Sequence, residues 1–107
     1  MQVHAWSNGS PRCSGAGYGI RVGERARESV FHRSWDRIDL DLGVHGHADI
    51  TLSNSFWRGC TELRNAAVGR WLLSRGLAPW PRGEPPTLEL QHLGGRNFRL
   101  TERQPSR

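Results

Sequence analysis

Between Trp35 and Leu52 the chain reads WDRIDLDLGVHGHADITL, and its apolar residues keep a period of two. Ile38, Leu40 and Leu42 fall on one side of an extended run, with Trp35, Arg37, Asp39 and Asp41 on the other. After GVHGH the pattern resumes with Ala48, Ile50 and Leu52. Only extended backbone sends successive side chains to opposite faces, so this stretch predicts an antiparallel hairpin with one buried and one wet face.

Other segments extend the sheet. VHAW reads as a short first strand, followed by the turn-rich loop SNGSPRCSGAG. YGIRV places Tyr18, Ile20 and Val22 together, whereas GERARESVFHRS has no clean period and reads as a connection or a ragged strand. Near the end, TLELQHL and RNFRL flank Gly94 and Gly95, whose tolerance of positive φ suits a hairpin turn, with Leu88, Leu90, Phe98 and Leu100 toward the core. GAGYG lacks the lysine-bearing end of a phosphate loop, so its glycines are assigned to a tight turn or bulge.

SFWRGCTELRNAAVGRWLLSRG breaks with this period. At about 100° per residue, Phe56, Cys60, Leu63, Ala67 and Trp71 make a stripe that Trp57, Val68 and Leu72 widen. Ser53, Asn54 or Ser55 can cap its start and Gly76 its end. The spacing predicts one helix over about 55–75, with Cys60 a buried thiol, Trp57 and Trp71 in the core, and Arg64 on its apolar side. No acid lies three or four residues from Arg64, so a buried guanidinium would need a partner elsewhere, and Asp36 is the strand carboxylate on the matching side. The expected fold is therefore α+β, an antiparallel sheet of about five strands with this long helix packed on one face. One domain is expected over residues 1–102, with a frayed tail at 103–107.

The 107 residues carry 15 cations against 10 acids, and every cation is arginine. The absence of lysine reads as codon bias, but the net charge of +5 suits an acidic partner. No apolar run approaches the roughly 20 residues a membrane span needs, and the start has no secretory signal pattern. Cys13 and Cys60 show no metal-binding spacing and are expected to be free thiols in a cytoplasmic protein without a membrane partner.

The leading expectation is a non-catalytic binding protein that contacts nucleic acid through dispersed arginines: Arg25, Arg27, Arg33, Arg58, Arg70 and Arg75. A mixed outer sheet face of Arg21, Arg37, Arg99, Asp39, Asp41, Asp49 and Glu89 argues against a base-stacking sheet surface. The second expectation is a protein-interaction module anchored on Trp35 and Trp80 with Arg64, as an inhibitor or assembly partner. The third is a metal-dependent hydrolase at His45 and His47, two apart in sequence, with Asp39, Asp41 or Asp49 adding oxygen. The leading reading implies no cofactor and no catalytic residue.

Overall fold

The computed structural model describes residues 1–103; of the tail expected at 103–107, all but Arg103 lies outside the described residues. The period-two run forms two strands, β3 (Arg37–Asp41) and β4 (His47–Thr51), paired antiparallel with Ile38 opposite Ile50 and Leu40 opposite Ala48. Before them come β1 (Gln2–Ser7), β2 (Tyr18–Arg21) and a short helix α1 (Glu24–Val30), which occupies the segment without a clean period. After them come α2 (Asn54–Arg58), β5 (Glu62–Arg64), α3 (Ala66–Ser74), β6 (Thr87–Gly94) and β7 (Asn97–Glu102).

Among the described residues, seven strands join one mixed sheet in the order β4-β3-β7-β6-β1-β2-β5. The neighbours pair antiparallel except β3 and β7, which run parallel. The sheet curls until its edges, β4 and β5, come into contact, giving a nearly barrel-shaped body with short helices. An antiparallel five-strand sheet with one long helix is not the architecture. Two features were missed: a seventh-strand parallel pairing that joins distant segments, and a break in the helical run.

That break has a local cause. Gly59 ends α2 with φ 158°, and the N–H groups of both Gly59 and Cys60 bond to the Ser55 carbonyl. Glycine within a helix costs about 1 kcal/mol relative to alanine. The chain then extends, burying Thr61 and Leu63 while Glu62 and Arg64 face outward, and β5 pairs with β2. Asn65 restarts a helix, its side-chain oxygen accepting the Ala67 N–H at 2.8 Å. The apparent stripe thus spans two helices and a strand. Trp71 and Leu72 are buried as expected, Cys60 is exposed, and Trp57 is only partly buried.

The curled sheet encloses an apolar interior. Val3, Ile20, Leu40, Ile50, Leu63, Leu88, Leu90, Phe98 and Leu100 are all buried there, joined by Phe31, Phe56 and Trp71 from the helical segments. The residues of the two anticipated hairpins reach the interior in the phase expected. The β6–β7 turn is displaced by one residue, with Gly94 paired to Asn97 and a bulge between His92 and Gly94.

Two close approaches fix the β1–β2 region. A Cβ on Gly69 of α3 would lie 2.1 Å from the Gly15 carbonyl oxygen, so the loop after β1 crosses α3 backbone against backbone. A Cβ on Gly19 would lie 2.3 Å from the Leu63 oxygen, which makes glycine necessary where β2 meets β5. Among the described residues no helix is long and apolar enough to cross a membrane.

Candidate functional site

The buried cation is Arg27, not Arg64. Arg27 is 7% exposed, donates to the Phe56 carbonyl at 2.8 Å, and approaches Glu28 at 3.0 Å. It ties α1 to α2, so its guanidinium is turned inward instead of toward a surface ligand. Burial without these partners would cost several kcal/mol.

Arg64 stands on the outside, its side chain 62% exposed. Asp36, its expected partner, lies instead 3.8 Å from Arg96. The placement of Arg64 follows from strand register: Trp6 on β1 faces Gly19 on β2, and Gly19 faces Arg64 on β5. These three positions form one row, and glycine leaves its middle open. The Trp6 ring and the Arg64 guanidinium meet across that opening at 4.9 Å, a stacking that holds the cation in place. In the next row Arg21 lies between His4 and Glu62. Glu62 is shared by Arg21 at 3.6 Å and Arg64 at 3.9 Å, leaving one acid for two cations.

The outward side of β4-β3-β7 is organised differently. Arg37 pairs with Asp49 at 3.3 Å, His47 with Asp39 at 2.7 Å, and Arg99 with Asp41 at 3.1 Å. The hydrogen bond to Asp39 raises the pKa of His47 above its ordinary value of 6.5, aided by the negative charges of Asp39 and Asp41. Asp41 is held below its usual value by the Gly43 N–H and then by Arg99. The neutral outer face anticipated for the whole sheet describes this half.

The remaining expected site residues are dispersed. Arg25 and Arg58 are exposed on α1 and α2. Arg33 lies 5.3 Å over the Trp57 ring and 3.5 Å from Glu28. Arg70 donates to the Ser14 carbonyl, and Arg75 pairs with Glu102 at 2.8 Å while covering Trp71. Trp35 precedes β3 and packs partly buried against Phe31 and Phe98, and Trp80 packs partly buried against Tyr18. Arg64, the third residue of that expected anchor, packs over the Trp6 ring.

His45 and His47 also diverge. His45 lies in the turn Gly43–His45 and its Nε2 is 2.8 Å from the Ser74 hydroxyl. That hydroxyl donates to the Trp71 carbonyl, so His45 is the donor in the pair. His47 turns to Asp39. Among the described residues there is no group of three or more His, Cys, Asp or Glu arranged to hold a metal ion. Both Cys13 and Cys60 are exposed free thiols.

Sequence reasoning gave no role to Trp6. Its phase in QVHAWS was readable, since it alternates with buried Val3 and Ala5, but its partners depend on pairings made 13 and 58 positions away, which no local spacing records. Comparison with family models, curated proteins and solved structures finds no match to this chain.

Proposed function

We propose that the protein is a non-catalytic nucleic-acid-binding protein that holds phosphates with arginine. The supporting observation is the uneven neutralisation of its cations. Among the described residues, Arg12, Arg25, Arg58, Arg70 and Arg82 have no carboxylate within 4.0 Å, and Arg21 and Arg64 share one. On β4-β3-β7, by contrast, Asp39, Asp41 and Asp49 each meet a cation of their own. Unmatched guanidinium groups attract a polyanion, and release of its counterions supplies affinity that declines with salt. A cytoplasmic location belongs to this reading, in keeping with two exposed thiols in a reducing compartment.

Fluorescence anisotropy with labelled single-stranded and duplex DNA and RNA tests it. Binding is expected at about 50 mM salt, weakening on a log–log plot by roughly 0.7 to 0.9 per phosphate contacted. Absence of binding to all four at low salt would overturn it.

A further inference from the structure

Beside the Trp6–Arg64 stack lies a cleft of about 310 Å³, lined by Trp6, Asn8, Gly17, Arg64, Asn65 and Ala66 among others. This volume falls at the small end of the roughly 300–1,000 Å³ typical of small-ligand sites. Its chemistry differs from that of three other surface clefts. Those contain Asp39 and Asp49, Glu24, or Glu62, whereas no carboxylate lines this one.

Its lining is rich in hydrogen-bond donors, alongside the Tyr18 hydroxyl, which can both donate and accept. The Asn8 side-chain oxygen accepts the Ser10 N–H at 2.9 Å, and the Asn65 oxygen accepts the Ala67 N–H at 2.8 Å. Each amide keeps its NH₂ group as a donor. Arg64 supplies more donors and can accept none. Arg12 is tied to the same rim through its backbone N–H, bonded at 2.8 Å to the carbonyl of Ala16, another cleft residue. Arg21 stands one row away on the same sheet face. The surroundings thus combine an aromatic ring, a flat guanidinium, two amide donors and further cations.

We infer that this cleft receives an unpaired base of a single-stranded nucleic acid, with adjoining phosphates held by Arg64, Arg21 and Arg12. The inference rests on the nucleic-acid reading and narrows it to a strand form and a place. Trp6 braces the guanidinium from one side, and the exposed plane of Arg64 continues the stack toward the base. The amide donors meet acceptors on the base edge or sugar. A duplex keeps its bases paired and stacked, so it lacks the ring this cleft would accept.

The test uses the full chain and four ligands: labelled single-stranded DNA and RNA of about ten nucleotides, within the range one small domain covers, a matching duplex, and adenosine monophosphate. Wild type, Trp6→Leu, Arg64→Met and Arg37→Gln are compared by anisotropy, with circular dichroism and thermal melting as checks of folding. Single strands are expected to bind more tightly than duplex. Trp6→Leu and Arg64→Met should each weaken single-strand binding roughly ten- to a hundredfold with duplex affinity much less changed, and Arg37→Gln should match wild type. If Trp6→Leu melts prematurely, Arg64→Met carries the test because its side chain is largely exposed. Wild-type single-strand affinity in a folded Arg64→Met would overturn the site while leaving nucleic-acid binding intact. Preference for duplex, or equal affinity for the mononucleotide, would overturn the single-strand assignment. Loss of binding to every nucleic acid by wild type would reject the underlying reading itself.

Discussion

The outer surfaces of β4-β3-β7 and of β1-β2-β5 belong to one continuous sheet, yet they handle charge in opposite ways. On the first, each cation has its own carboxylate: Arg37 with Asp49, Arg99 with Asp41, His47 with Asp39. On the second, two arginines share Glu62 and one of them leans on Trp6. The first surface satisfies itself, and the second sets two guanidinium groups against one carboxylate. The difference comes from strand order, because total composition is averaged over both.

The strongest way to break this contrast is to remove the opening in the row between Trp6 and Arg64. Gly19→Ala would place a methyl 2.3 Å from the Leu63 oxygen. It should cost about 3 kcal/mol or more, since rigid backbone must move, and should abolish the Trp6–Arg64 contact. Gly46→Ala in the β3–β4 connection is the matched control. Its φ of +82° and ψ of −154° lie in a region held almost only by glycine, but the space around it is open, so backbone strain of about 1–3 kcal/mol applies without any clash. Urea unfolding of the two variants compares them directly, and equal losses would contradict the crowding at Gly19.

The next effect concerns the cation that belongs to neither surface. Arg27→Met is expected to lose roughly 2 kcal/mol, because the Phe56 carbonyl loses a charged donor. Arg25→Met on the same helix should change stability little, since its side chain is exposed. Chemical denaturation of both distinguishes a buried tie from helix propensity.

Charge removal on the two surfaces should then separate binding from stability. Arg21→Gln should make the salt dependence of single-strand binding shallower by about 0.7, the share of one phosphate, whereas Arg99→Gln should leave the slope unchanged. Arg37→Gln should alter stability by no more than about 0.5 kcal/mol, as exposed ion pairs contribute little. A steep loss of binding from Arg99→Gln would erase the proposed distinction between the surfaces.

The smallest effect is a pH dependence on the self-satisfied side. The His47 pKa is raised above 6.5, so its contribution is complete below that value and fades as pH rises through the raised one. The Asp41 pKa is lowered below 3.8, so its contribution is present above that value and fades as pH falls through the lowered one. Melting temperature against pH should show a weak alkaline decline that His47→Gln flattens. An unchanged decline in that variant would assign it to another group.

What could be read from sequence follows the range of the interactions responsible. Ile38 through Leu52 and Leu88 through Leu100 announce their hairpins because each strand pairs with a near neighbour and alternation persists. TELR conceals β5: three strand residues are too few to show a period, and Leu63 also fits the helical stripe beside Phe56 and Trp71. Gly59 and Asn65 were the available warnings, a weak helix residue and a good cap within one supposed helix. The parallel β3–β7 pairing had no local trace, and neither did the row that joins Trp6 to Arg64. The candidate site was therefore half visible: its arginine was singled out, but in the wrong element and with the wrong partner.

The strand order also bears on how the sheet comes into being. Strands β6 and β7 follow all the others in the chain, yet they lie between β1 and β3. Until that hairpin inserts, the β3–β4 ribbon and the β1-β2-β5 sheet have no strand between them, and β1 and β3 each present a vacant edge. Such edges can recruit the same segment from another chain. The C-terminal hairpin thus acts as a keystone: it joins the halves and covers the edges most open to intermolecular pairing.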